Sequence, residues 1–365
     1  MIKLLSIFWF YKSKDFQKMI EPIEFKENFW ESIDFYHEKG WTDGLPVIPP
    51  TKEMIESFLD SGGITEGQIV FEVPERKRSV SAEKIAINAI LAGCLPIYMP
   101  VIISALEAMA DPEYNIHSSA SSTGGAAPFI LINGPIRSEI SLNSGTNFYG
   151  PGTRANASIG RAIRLILINC LGAKPGLMDR STQGNPGKYS LTFGENEELS
   201  PWEPLSMELG FKKEESTVTL LATEGPHNIQ NHYGQSKGIL DTACHTMSSL
   251  GSMSEGQSFF VFSPEHAKII SEEYKTKQEI KEYIFENAKI SEDILIESGK
   301  INNNGWADEK GNVRHALTPD DIFIVVAGGE AGGHSSWVPS WSRRRNGITV
   351  TKKILSSKSR LLQTY

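Results

Sequence analysis

Five short apolar runs, each ending in glycine or proline, constrain the fold of this chain more than any other feature. They span residues 69–74, 129–134, 217–225, 259–264 and 322–329. They are rich in Val, Ile and Phe, and too short for packed helices. Continuous runs of this kind read as strands buried on both faces. Segments of helical spacing lie between them. Residues 82–93 put Ile85, Ala89 and Ile90 on one face, and residues 154–170 do the same with Ile159, Ile163, Ile166 and Leu167. Residues 97–110, 238–250, 264–274 and 277–289 complete the set. Strands alternating with helices predict an α/β fold, with a largely parallel buried sheet and helices on both faces.

The 365 residues permit one large domain or two joined ones. The expected division is an N-terminal extension over 1–30, an α/β enzyme-like domain over 31–355 and a flexible tail over 356–365. Within the domain, lobes over 60–175 and 215–355 are joined by a long loop over 176–214. The wider stretch 173–211 is dense in Gly, Pro, Asn and Ser, and a loop of that length is functional or connects lobes. Strand endings echo each other across about residue 200: Val73-Pro74-Glu75 with Ser263-Pro264-Glu265, and Asn133-Gly134-Pro135 with Glu224-Gly225-Pro226. Two similar half-units would produce this echo, and so would common turn chemistry. The apolar start, Met1 to Tyr11, is too short to span a bilayer and lacks a small-residue cleavage site.

Charge and cysteine usage narrow the setting. The formal charge of −8 and the absence of a long basic block argue against nucleic-acid binding. The run Arg343-Arg344-Arg345 reads as a solvated loop. Three distant cysteines, Cys94, Cys170 and Cys244, do not form a disulfide framework, and they suit a reducing cytoplasm. A non-membrane protein, and an oligomer of identical chains, are the corresponding expectations.

In open α/β sheets ligands bind beyond the carboxyl ends of strands. Four of the eight histidines, His227, His232, His266 and His334, fall just past expected strand ends. Imidazole titrates near neutral pH, so His227 and His334 are candidate proton-transfer groups, with Asn228 beside them. A divalent metal held by His227 and His232, with His266 or His334 as third ligand, is the competing reading, although the five-residue step from His227 to His232 is not a helical ligand spacing. Gly150, Gly152, Thr153, Arg154 and Asn156 form a Gly-rich entry to a helix, where loop amides and Arg154 favour an anion. Arg161 shares a face with Arg154, and Arg164 lies near it. Residues 118–125 form a second, weaker candidate of the same kind. Asp43, on the turn-rich segment 40–50, is a turn residue or a presented carboxylate. Cys94 follows the carboxyl end of a helix, where the dipole opposes a thiolate.

Several of these segments, taken in order, resemble a bacterial family of uncharacterised proteins described as, or beside, UGSC-type (seleno)proteins. They are residues 41–51, 92–96, 154–161, 226–228 and 263–267, and the Gly-Gly…His334-Ser335 stretch. The resemblance covers about residues 30–354. It implies that Cys94, Arg154, His227 and His334 serve one site, and it suggests thiol chemistry of a sulfur or selenium kind. This chain has no Cys-Gly-Ser-Cys motif, which departs from the family name. Three readings follow. The first is an enzyme on a small anionic substrate, with Cys94, His227, His334 and Asp43 as candidate catalytic groups. The second is a metal-dependent hydrolase or lyase. The third is a non-catalytic subunit partnering a small thiol protein or selenoprotein.

Overall fold

The computed structural model describes residues 29–362 except 253–254, 303–304 and 344. The expected N-terminal extension therefore lies almost wholly outside the described residues. Within them the chain is mixed α/β, with twelve strands in four sheets. Strands β1 (Ile69–Val73) and β2 (Arg78–Ser81) form a hairpin. The first large sheet uses β3 (Ala127–Asn133), β4 (Thr192–Gly194) and β5 (Thr217–Thr223). The second uses β6 (His227–Gln230) and β7 (Ser258–Phe262). After a second hairpin, β8 (Lys289–Ser291) with β9 (Asn312–Arg314), come β10 (Ile322–Val326) and β11 (His334–Pro339) of the second sheet. Last comes β12 (Val350–Lys353), which belongs to the first.

The first sheet runs β12-β5-β3-β4 and the second β10-β7-β11-β6. Only β3 with β4, and β7 with β10, are parallel, and every other pairing is antiparallel. This corrects the largely parallel sheet expected from the apolar runs. Burial on both faces was inferred from those runs, and burial is what the structure shows: β3, β5, β7 and β10 are buried at every position. Two-sided burial does not require parallel strands when another sheet supplies one cover.

That second cover is visible in the packing. Phe129, Leu131, Phe193 and Leu221 of the first sheet meet Phe259, Val261, Phe323, Val325 and Val338 of the second. The Phe129 and Phe259 rings lie 4.5 Å apart between centroids. On the outer side of the first sheet, Ile130, Ile132, Val218 and Leu220 pack on the helices Lys52–Gly62, Ala82–Leu91, Met99–Met109 and Arg154–Asn169. On the outer side of the second, Phe260, Phe262, Ile324 and Trp337 pack on Ser236–Met247, Pro264–Glu273 and Lys277–Asn287. The order is helices, sheet, sheet, helices.

Both sheets follow one pairing pattern. A central strand (β3 or β7) lies parallel to the strand reached through a helical crossover (β4 or β10), and antiparallel to the strand after that (β5 or β11). The fourth strand of each sheet comes from elsewhere. β6 follows β5 in the chain but pairs with β11, whereas β12 follows β11 but pairs with β5. The expected lobes 60–175 and 215–355 therefore do not separate the sheets, because β4, β5 and β12 all complete the first.

Local signals explain elements the apolar runs left out. Thr51 caps the helix Lys52–Gly62 by accepting from the Met54 amide at 3.3 Å, and Gly63 ends it at φ 63°. Part of the expected tail is also ordered. Ser357–Leu361 is a short helix whose Arg360 pairs with Glu107. No helix among the described residues is long and apolar enough to cross a membrane.

Candidate functional site

A cleft of about 790 Å³ opens beyond the carboxyl ends of β7 and β10. Three segments build it. The first is the Gly-rich turn after β10. Gly328 has φ 122°, a conformation that excludes ordinary side chains, and its amide donates to the Ser144 carbonyl at 2.9 Å. Further on, Glu265 Oε2 accepts from the amides of Gly332 and Gly333, each at 2.7 Å. The turn is thus tied at both ends. The amides between the ties, those of Gly329, Glu330 and Ala331, have no acceptor among the described residues.

The second segment is the wall Thr146–Gly150. Asn156, in the first turn of the helix Arg154–Asn169, holds it. Asn156 Oδ1 accepts from the Asn143 amide at 2.8 Å, and Nδ2 donates to the carbonyls of Asn143 at 2.9 Å and Phe148 at 3.3 Å. The Tyr149 hydroxyl reaches across to Ser336 Oγ at 3.2 Å.

The floor comes from β6 and β11, where strand alternation decides which side chains arrive. Asn228 lies opposite Ser336, and both line the cleft. His334 Nδ1 lies 3.1 Å from Asn228 Oδ1. The amide oxygen can only accept, so Nδ1 carries the proton and the Nε2 lone pair is left to take one. The His232 ring stands edge-on to His334 at 5.2 Å.

The cleft thus gathers Gly150, Asn228 and His334 from the sequence-derived candidates, with Asn156 behind it. The others lie elsewhere. His227 is one residue from Asn228 and so points to the opposite face, against Trp337 at 5.2 Å between ring centroids. Burial there pushes its pKa below the ordinary histidine value. His266 is fully buried, with Nδ1 2.7 Å from Ser335 Oγ and Nε2 2.8 Å from the Asn231 carbonyl, so both ring nitrogens are engaged. Among the described residues no three His, Cys, Asp or Glu side chains are arranged to hold a metal ion.

The remaining candidates support structure around the helix Arg154–Asn169. Arg154 Nε donates to the Gly93 carbonyl at 2.8 Å and Nη2 to that of Cys94 at 3.4 Å, both in the turn that follows the helix Ala82–Leu91. Arg154 is therefore turned away from the Gly150–Thr153 amides it was expected to join, and Gly152 and Thr153 do not line the cleft. Cys94 is 5% exposed, and its thiol donates to the Ser158 carbonyl at 3.2 Å. Burial pushes that thiol up to about 12, against the smaller opposing pull of the Ser158 contact and Arg154. The Asp43 carboxylate is gripped by Arg161 at 2.8 and 2.9 Å. Burial raises that carboxyl, but the Arg161 hydrogen bonds and charge outweigh it and hold it below its ordinary range. Asp43 thereby pins the 40–50 turn to the helix.

Two cleft residues were not singled out in the sequence, Tyr149 and Ser336. Ser336 lies on the strand His334–Pro339, whose sequence shows no polar–apolar alternation and which the preceding glycines disguised as loop. Comparison with protein-family models, characterised proteins and solved structures returned no match to this chain.

Proposed function

We propose that this protein is an enzyme that transfers a proton on a small anionic substrate bound in the cleft between Thr146–Gly150 and the Gly328–Ala331 turn. The observation that carries this reading is the Asn228–His334 contact at 3.1 Å, which fixes one imidazole tautomer at the cleft floor. A histidine with one nitrogen held by an acceptor presents the other as a general base, and as an acid once protonated. The acceptor-free amides of Gly329, Glu330 and Ala331 are suited to carboxylate or developing oxyanion oxygens. Tyr149 and Ser336 supply hydroxyls that orient a substrate. Burial of Cys94 removes the main motive for thiol chemistry, and neither the metal-dependent nor the subunit reading gains a specific observation.

The test uses the full chain with a panel of small carboxylates and phosphate esters in D2O and in ¹⁸O-water, read by mass spectrometry. Deuterium or ¹⁸O uptake by a panel member is expected, and His334→Ala should slow it by about 10²–10⁴-fold. Asn228→Ala, which releases the tautomer, should give a smaller loss. Undiminished uptake in His334→Ala would overturn the reading.

A further inference from the structure

The helix Arg154–Asn169 carries three arginines, and two are committed: Arg154 to backbone carbonyls and Arg161 to Asp43. Arg164 is not. It lines a second, open pocket, of about 530 Å³, walled largely by residues 173–189 and bordered by Asp179, Ser181, Lys188, Ile168 and Tyr189. Arg164 is 7% exposed. Its Nε donates to the Lys188 carbonyl at 3.0 Å, and its Nη1 stands 3.7 Å from Asp179 Oδ2, beyond hydrogen-bond range. No acceptor among the described residues bonds Nη1 or Nη2, so four of the five guanidinium N–H groups are unused.

Asp179 is held toward other partners and leaves Arg164 only a long ion pair at 3.7 Å. Its Oδ2 already accepts from Lys188 Nζ at 2.6 Å and its Oδ1 from Ser181 Oγ at 2.6 Å. Lys188 Nζ also donates to Ser181 Oγ at 2.6 Å. Arg164 and Lys188 against Asp179 leave one positive charge in excess, because Arg161 cancels Asp43 at the cavity edge. A buried excess charge with unused donors is costly to leave unpaired. The shape is suited to one kind of guest. Paired Nη groups match the two oxygens of a carboxylate or phosphate, and the volume falls in the range of roughly 300–1,000 Å³ usual for small-molecule sites.

We propose that this cavity binds the carboxylate or phosphate group of a small organic molecule, its oxygens set between Arg164 Nη and Lys188 Nζ and its apolar part against Ile168 and Tyr189. Burial pushes both cations down from their ordinary pKa values, Lys188 despite Asp179, so a bound anion restores what desolvation removes. The site is separate from the His334 cleft, with which it shares no lining residue.

Calorimetric titration of the full chain with inorganic phosphate and with benzoate, at constant ionic strength, tests this. Saturable one-to-one binding of at least one probe is expected. Phosphate alone would place the guest among phosphate esters, and benzoate alone among carboxylates. Arg164→Lys keeps the charge but loses the fork, and should weaken binding by roughly tenfold or more. Gln183→Trp places a bulky ring at the exposed rim without touching the charges, and should block binding even if the arginine variant folds poorly. His334→Ala should bind as the parent does. No saturable binding to the folded parent, binding unchanged in both cavity variants, or binding lost in His334→Ala would each overturn the proposal.

Discussion

The two large sheets share a pairing pattern, yet the carboxyl ends of their parallel strands are finished in opposite ways. Beyond β3 and β4 the end is sealed by charge. Glu195 is fully buried, and its Oε2 accepts from Asn133 Nδ2 at 2.6 Å and the Leu205 amide at 2.9 Å. Arg137 donates to the Glu195 carbonyl at 2.6 Å and pairs with Glu197 at 3.0 Å and Glu198 at 2.9 Å. Burial raises the Glu195 carboxyl against the opposing charge of Lys277, 3.8 Å from its Oε1. Beyond β7 and β10 the chain places Ser263 and glycines, and a cleft remains. One strand pattern thus supports either a plug or a site, and the residues after the strands decide which.

The largest expected contrast is in stability. Arg137→Ala takes the donor from the buried carbonyl of Glu195 and the cation from Glu197, whose Oε1 keeps Asn133 and the Gly134 amide, and should cost about 3–5 kcal/mol in urea unfolding. His334→Ala, at the open end, should stay within about 0.5 kcal/mol of the parent. Equal costs at both ends would remove the distinction between plug and site.

Glycines sharpen it further. A Cβ on Gly134 would clash with the Glu215 carbonyl oxygen, with φ at 85°. Gly134→Ala should therefore cost about 1–3 kcal/mol. A Cβ on Gly329 meets the Thr146 hydroxyl at 2.8 Å, the end of a side chain that can rotate away. Gly329→Ala should cost less than about 1 kcal/mol while narrowing the cleft, so the two variants separate stability from turnover.

A third contrast concerns pH. Burial lowers the pKa of His227 and His266, both beside the second sheet, so the folded state binds fewer protons than the unfolded one near their ordinary value of 6.5. Their contribution is present above that value and is lost as pH falls through it toward the lower folded values. Urea midpoints should drop over this window, and His227→Gln should flatten the slope. A midpoint that rises on acidification would contradict the assignment.

The smallest expected effect on turnover is that of Cys94. Burial leads the causes that push Cys94, Cys170 and Cys244 up to about 12, so a disulfide reagent at neutral pH should find all three only after unfolding. Cys94→Ala should cost about 1 kcal/mol and leave proton transfer unchanged. Rapid native labelling of Cys94 would revive the thiol reading.

The apolar runs made the sheet cores legible because burial on both faces leaves continuous Val, Ile and Phe. They could not reveal pairing direction, since an apolar strand looks the same beneath a helix or beneath another sheet. β4 was hidden because three residues, Thr192 to Gly194, carry no periodic signal. At the cleft, His334 and Asn228 were readable as polar residues past strand ends. His227 was misplaced because a strand begins at that residue, and one step along a strand reverses the face. Arg154 and Arg164 were hard to rank, because residue type does not say which guanidinium finds a carbonyl and which is left facing a cavity.

The exchange of β6 and β12 between the sheets has a consequence for biosynthesis. A ribosome delivers β5 more than a hundred residues before β12, the strand that covers its edge. β6 emerges before any strand of the sheet it will join. The nascent chain thus carries an open strand edge until residues 350–353 appear, a surface that invites pairing with other chains. The finished molecule gains in return: each half is clasped by a ribbon of the other, and a cut in the segment between them would not let the halves drift apart without breaking both sheets.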